Sequence, residues 1–314
     1  MELIRGHYNL RPEHHGCVAT IGNFDGVHLG HVAVLDRLAE KSREFDLPAT
    51  VISFEPTPLE YFLGEHAPAR LTRFREKYEL LRAHGLDRMF SLTFDANLAH
   101  MPADQFIERV LVAGLGVKYL VVGDDFRFGR DRAGDFATLV AAGERHGFEV
   151  VNMHTYVKHD GRVSSTRVRE ALAHHDLDLA EHLLGRKYSV RGRIVHGDKR
   201  GRTIGFPTAN VLLRRKVCPL DGVYAVDIPG LVAASSDAPV TGVANVGKRP
   251  TVGGTRVQLE VHLFDFSGDL YGREVEVRFL KHIRPEQKFE SFDALKQQIL
   301  SDCDTARAFF KNPT

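Results

Sequence analysis

Two textures divide this sequence, and the break between them constrains the fold more than any single motif does. Up to about residue 185, short apolar runs alternate with stretches of helical period. Val18-Ala19-Thr20-Ile21 reads as a strand closed by Gly22, and Val32 to Phe45 follows as a helix with Val34, Leu35, Leu38 and Ala39 on one face. Ala49 to Phe54 is the next buried strand, ended by Glu55-Pro56-Thr57-Pro58, and further strands are expected at 89–94, 119–122 and 149–153. Strands separated by helices need crossover connections, so the sheet should be mainly parallel, in a Rossmann-like, doubly wound α/β domain. Beyond Leu183-Leu184-Gly185 the helices thin out. Tyr188–Val195, Gly222–Ile228, Val240–Val246, Gln258–Phe266 and Glu274–Phe279 read as strands between Gly and Pro turns, the pattern of a small antiparallel barrel or sandwich. A last helix, Phe292 to Phe310, carries Leu295, Ile299 and Ala306 at helical spacing. The expected division is therefore 1–185 and 186–314, and 314 residues suffice for a core in each.

Composition narrows the class. Lys plus Arg total 42 against 41 Asp plus Glu, so nothing marks a general binder of nucleic acid or of anionic membranes. Cys17, Cys218 and Cys303 lie far apart without CxxC spacing, which argues against a disulfide framework or structural zinc and suits a reducing compartment. The first residues, MELIRGHYNLRPEHHG, lack the apolar core of a secretory signal. No apolar run approaches the about 18–20 residues that span a bilayer. The expectation is a cytoplasmic enzyme.

The first chemical signal is GNFDGVHLGH, residues 22–31. His28 and His31 stand three apart where a helix begins after the first strand, so both imidazoles can address one anion. Gly30 leaves room between them, and a helix N-terminus adds free N–H groups and a positive dipole end. That suits a polyphosphate, above all an α-phosphate gaining charge under attack. HxGH alone equally fits two ordinary surface histidines, but its place at the carboxyl edge of a parallel sheet favours the phosphate. The loop Gly123-Asp124-Asp125-Phe126-Arg127-Phe128-Gly129 leaves a strand on the same edge. Ser164-Ser165-Thr166-Arg167-Val168-Arg169 opens a helix with hydroxyls at its cap and arginines in its first turn. Hydroxyl caps are common anywhere, whereas first-turn arginines oppose the helix dipole unless a phosphate is bound there.

GNFDGVHLGH, GDDFRFG and SSTRVRE, in this order and spacing, resemble the adenylyltransferase half of the prokaryotic bifunctional riboflavin kinase/FAD synthetase family. The resemblance implies that His28 and His31 bind ATP phosphates and stabilise the transition state, together with Arg167. It places Gly22, Phe24, Asp25, Gly30, Ser165 and Thr166 against the nucleotide. It places Phe54, Pro56 and Pro58 beside the flavin, with Asp125, Phe126 and Phe128. Asp125 stands where some members carry Asn, and His174-His175 replaces a glycine of the family pattern between the last two helices of this half.

A second signal is residues 197–210, GDKRGRTIGFPTAN, dense in glycine, cations and small polar groups. Gly197, Gly201 and Gly205 would let backbone N–H groups approach phosphate and Lys199 could offset its charge, with Thr203 and Pro207 in the same candidate ATP-binding segment. Thr208 and Asn210 offer hard oxygens suited to Mg²⁺ shared with nucleotide phosphates. A glycine-rich hairpin with a solvated basic tip has the same composition. Glu260 lies in an alternating strand, with His262 on its side and Val257, Leu259, Val261 and Leu263 on the other. Such a carboxylate is either an exposed strand Glu or a general base for a hydroxyl. Gly242 to Lys248 mimics a P-loop, but Arg249 replaces the hydroxyl residue and Pro250 opposes the helix that a P-loop needs.

GRTIGFPTAN, the Pro219 to Tyr224 segment, Asn245 to Thr251, LEVHLFDF and Leu270-Tyr271-Gly272 resemble the riboflavin kinase domain of the same family. That implies a six-stranded barrel in which Thr208 and Asn210 coordinate Mg²⁺, Glu260 activates the ribityl 5′-hydroxyl, and Tyr224 and Arg284 meet the flavin. Riboflavin, FMN, FAD and ATP are then the partners, with no nucleic acid or membrane among them. A kinase with an inactive first domain is opposed by the intact His28, Gly30, His31, Thr166 and Arg167. A flavin carrier without turnover would not need Thr208, Asn210 and Glu260 together.

Overall fold

The computed structural model describes residues 1–153, 156–158, 161–196, 206–215, 217–231, 238–251 and 254–312. Its contacts divide the chain into two compact units, 1–68 with 72–165 and 69–71 with 166–314.

In the first unit six strands form one parallel sheet: β1 (Glu2–Arg5), β2 (Cys17–Ile21), β3 (Ala49–Glu55), β4 (Arg88–Thr93), β5 (Val117–Gly123) and β6 (Glu149–Met153). Their order is β1-β4-β3-β2-β5-β6, so the direction of winding reverses between β2 and β5. Alternation sends Cys17, Ala19 and Ile21 into one core with Leu120 and Val122, and Val18 into another with Tyr119 and Val121. A sheet covered on both faces is what continuous apolar runs such as 17–21 require. The crossovers include α1 (Leu29–Phe45), α2 (Pro58–Leu63) and α3 (Phe74–Ala83). After two short helices, α4 (Ala96–Ala99) and α5 (Ala103–Phe106), comes α6 (Phe136–His146). Helix α1 starts at Leu29, three residues before the expected Val32, because His28 caps it. Strand β1 was not expected; it pairs only with β4, at the sheet edge. A two-stranded ribbon, β7 (Val157–Lys158) with β8 (Gly161–Arg162), precedes α7 (Ser165–Ala173).

The second unit holds α7 from Thr166 onward, α8 (Leu177–Leu184) and a closed antiparallel barrel. Its strands are β9 (Ser189–Val195), β10 (Ala209–Leu212), β11 (Gly222–Ile228), β12 (Val240–Thr251), β13 (Gly254–Leu263) and β14 (Glu274–Arg284), closed in the order β10-β13-β12-β11-β14-β9. The five expected strands are present, and β10 is added from within the second motif. The P-loop look-alike is the middle of β12, a ladder strand with no helix after it. Helix α9 (Phe292–Lys311) lays Cys303 and Ala306 against Val223, Ala225, Val243 and Phe264 of the barrel. Among the described residues no helix is long and apolar enough to cross a membrane.

Candidate active sites

At the reversal between β2 and β5, a cleft of about 370 Å³ opens beyond the carboxyl ends of the strands. Doubly wound sheets bind ligands at this place, because the loops of neighbouring strands diverge there. The 22–31 motif, the loop after β5 and Ser165 all line it.

His28 is extended (φ −79°, ψ 170°) and is the N-cap of α1. Its Nδ1 accepts from the His31 backbone N–H at 3.2 Å, so the proton of the neutral ring sits on Nε2. The His31 ring stacks on it, with centroids 3.6 Å apart and planes 14° apart. A Cβ on Gly30 would stand 3.2 Å from the His28 ring and from the Val163 carbonyl, so glycine is needed for close approach at this position. The pair therefore meets at the helix start, one ring outside the helix and one within it.

The loop between β2 and α1 holds Phe24 at φ 50° and Val27 at φ 41°, conformations that ordinary side chains enter at a cost of about 1–3 kcal/mol each. Side chains from distant segments hold it there. Asp25 Oδ1 accepts from the Thr72 N–H and hydroxyl, and Thr72 Oγ1 accepts from Gly26 N–H at 2.9 Å. Ser165 Oγ donates to the Asp25 carbonyl at 2.8 Å. Lys77, only 2% exposed, donates to the Asn23 carbonyl at 2.9 Å and to Ser53 Oγ at 3.0 Å. The buried Asp25 carboxylate thus holds the loop. Thr72 and Lys77 are absent from the sequence-derived set, since nothing local in 72–77 points to a loop about fifty positions earlier.

Around the same cleft Asp125 is exposed and ion-paired with Arg162 at 2.7 Å. Phe126 stacks on Phe128, which is buried in the core against Phe106. Phe54 meets Phe94 edge-on, and Tyr61 and Phe62 of α2 close on Phe94 as well. Pro56 follows a cis peptide bond, and Pro58 is the first residue of α2 after the Thr57 cap. Thr166 and Arg167 continue α7 from Ser165 and belong to the second unit.

In the barrel, Asn210 of β10 and Glu260 of β13 are directly paired across the ladder. Gln258 Nε2 donates to both, 2.8 Å to Asn210 Oδ1 and 2.6 Å to Glu260 Oε1. Asn245 of β12 pairs with Glu260 from the other side. Glu260 shares its half-exposed face with Gln258 and His262, while Val257, Leu259 and Val261 are buried. Pro207 and Thr208 line a second cleft, about 370 Å³, with Tyr271 and Asp269. Gly197, Lys199, Gly201, Thr203 and Gly205 lie outside the described residues.

Thr208, with its hydroxyl, lines that cleft, and the Asn210 carboxamide oxygen lies two residues on, at the strand position opposite Glu260. Among the described residues no three His, Cys, Asp or Glu side chains form a metal-holding group. Neutral hard oxygens beside a single carboxylate fit an Mg²⁺ ion shared with nucleotide phosphates.

Farther round the barrel, Tyr224 is fully buried; its hydroxyl donates to the Asp221 carbonyl at 2.7 Å and meets His175 Nδ1 at 2.8 Å. Burial, then the nearby Asp221, push the phenol well above the usual tyrosine range. Tyr224 therefore stands inside the wall, away from any open surface. Arg284 is clamped by Asp302, with Nε to Oδ1 at 3.0 Å and Nη2 to Oδ2 at 2.8 Å.

The chain matches two family models, FAD synthetase over residues 10–167 and riboflavin kinase over residues 184–310. A bifunctional riboflavin kinase/FMN adenylyltransferase of Escherichia coli K12 is 54% identical over 311 residues, 99% of this chain and 98% of the relative. Its namesake in Haemophilus influenzae is 52% identical over 312 residues, 99% of this chain and all of the relative. A solved structure described as a macrolide-efflux protein from Streptococcus pneumoniae covers 100% of both chains at TM-score 0.83 and 30% identity.

Proposed function

Because the chain belongs to the bifunctional riboflavin kinase/FMN adenylyltransferase family, we propose that it makes FMN and then FAD at two separate sites. The functional division falls near residue 185: residues 1–185 adenylylate FMN and residues 186–314 phosphorylate riboflavin. The observation that carries this reading is the stacked His28–His31 pair at the switch-point cleft.

In the barrel, Glu260 takes the proton of the ribityl 5′-hydroxyl as that oxygen attacks the γ-phosphorus of ATP; the bond to the bridging oxygen breaks, and ADP leaves with the electron pair. Thr208 and Asn210 would hold Mg²⁺, which when bound offsets phosphate charge. The glycine-rich segment 197–207 is the ATP-binding stretch of this half, and Arg284 borders the flavin.

In residues 1–185, an FMN phosphate oxygen attacks the α-phosphorus of a second ATP and pyrophosphate departs. Developing charge on the α-phosphate meets the His28 Nε2–H, the His31 ring and the N-terminus of α1. Ser165, Thr166 and Arg167 take the nucleotide at the start of α7. Phe54, Pro56, Pro58, Phe126 and Phe128 border the flavin. Cys17, Cys218 and Cys303 are thiols, which suits a reducing, cytoplasmic setting for this work.

One incubation tests the reading. The full chain with riboflavin, ATP and Mg²⁺ should yield FMN and ADP first, then FAD and pyrophosphate. Flavin retained without nucleotide turnover would point to a carrier, and FMN without FAD to a kinase alone.

A further inference from the structure

Gln258 of the barrel has no part in the reaction described above. It precedes Glu260 by two positions on β13, so strand alternation gives both side chains one face. Asn210 lies directly opposite Glu260, which brings its side chain within diagonal reach of Gln258. The Gln258 amide nitrogen then meets two acceptors, Asn210 Oδ1 at 2.8 Å and Glu260 Oε1 at 2.6 Å. A carboxamide nitrogen has two hydrogens and accepts nothing, so both hydrogens are engaged. The orientation follows from charge. An ionised carboxylate only accepts, and it compels Gln258 to present its NH₂ group. The second hydrogen in turn compels Asn210 to offer oxygen rather than its own NH₂. One amide therefore decides which end of Asn210 lies beside Glu260.

We propose that Gln258 is a positioning residue for phosphoryl transfer, holding Glu260 and the oxygen of Asn210 in a fixed relation. The proposal rests on the reading of Glu260 as the base and Asn210 as a Mg²⁺ ligand. Groups that orient metal ligands without touching the metal typically change affinity or activity by about 10–100-fold when removed. Gln258 has no charge and no proton to exchange, so its contribution is geometric. Lost geometry lowers turnover more than it weakens substrate binding.

The test uses the full chain with Gln258→Met, which keeps length and removes both hydrogens, and with Gln258→Glu, which keeps shape but faces Glu260 with like charge. In Gln258→Met, kcat for riboflavin phosphorylation should fall about 10–100-fold with KM for riboflavin within about twofold. By calorimetry the gain in ADP affinity on adding Mg²⁺ should shrink, while ADP affinity without Mg²⁺ stays the same. FMN adenylylation should be unchanged, which reports an intact fold. Gln258→Glu should lose more turnover than Gln258→Met. Kinase kcat within about threefold of the wild type in Gln258→Met overturns the proposal if Glu260→Ala is inactive in parallel. An active Glu260→Ala overturns the underlying assignment of the base as well. Should Gln258→Met also lose adenylylation, Gln258→Glu decides by the same measurements: lost kinase turnover supports positioning, and retained turnover overturns it.

Discussion

His31 stacks its imidazole on that of His28, 3.6 Å between centroids, while its backbone N–H is capped by the same His28 ring. One side chain thus ends the loop and starts the helix. His28→Ala should reduce FMN adenylylation by about 10²–10³, the usual cost of a lost oxyanion donor, and leave riboflavin phosphorylation intact. It should also destabilise the first unit by about 1 kcal/mol through the missing cap. His28→Asn separates the two effects, since Asn restores the cap without the ring. Stability should recover in urea denaturation while FAD formation stays low. Recovery of both would assign the histidine to capping alone.

Lys77 holds the strained loop from beneath. Lys77→Met keeps the buried stem but leaves the Asn23 carbonyl and Ser53 hydroxyl without the ammonium donor they share. Each buried polar group stripped of its partner costs about 1–3 kcal/mol. The first unit should therefore unfold at lower urea, and FMN adenylylation should fall with riboflavin phosphorylation preserved. Unchanged adenylylation in a variant of lowered stability would limit Lys77 to the fold.

Asp302, with 5% of its side chain exposed, meets Arg284 at 17%, and Gln298 Nε2 donates to the same carboxylate at 2.9 Å. Asp302→Ala would take the carboxylate from a largely buried guanidinium, and breaking such a pair typically costs about 3–5 kcal/mol. Chemical denaturation of the barrel should show that loss. Release of Arg284 should also raise KM for riboflavin more than it lowers kcat.

Much of this was legible from periodicity. The runs 17–21, 49–55 and 117–123 are mostly apolar because both faces of a central parallel strand are buried, and turn residues bracket them. Strand β1 was not, because its four residues read ELIR and show burial of Ile4 alone. Strand β10 hid inside a segment whose glycines and cations read as a ligand loop. At the candidate sites, residue types pointed to His28, His31, Asn210 and Glu260, since the chemistry read into them is carried by identity and local spacing. Lys77, Thr72, Gln258 and Asp302 act on partners set by the fold: Lys77 and Asn23 are 54 positions apart, and Gln258 and Asn210 are 48. Their side chains are ordinary for a helix or a strand, so no short pattern distinguishes them.

His175 and His282 form a second stacked pair, with centroids 3.8 Å and planes 4° apart, and this one should make stability depend on pH. His175 occupies the turn between α7 and α8 at φ 59°, where a glycine would be free of strain, and its ring spans Tyr224 and His282. Burial first, and then the facing His175, hold His282 below the ordinary histidine value of 6.5, with Asp221 and a backbone hydrogen bond at Arg284 acting the other way. A depressed histidine stays neutral in the folded chain at pH values where the unfolded chain has already bound a proton. Its contribution is therefore complete above the unfolded value and is lost as pH falls toward the folded one. Urea midpoints measured at about pH 7.5 and about pH 5.5 should fall further for the wild type than for His282→Gln, which cannot take the proton. Replacing His175 by glycine should move the His282 titration, followed by NMR, back toward 6.5 and narrow that window. An equal drop in wild type and His282→Gln would remove this pair as the source of acid sensitivity.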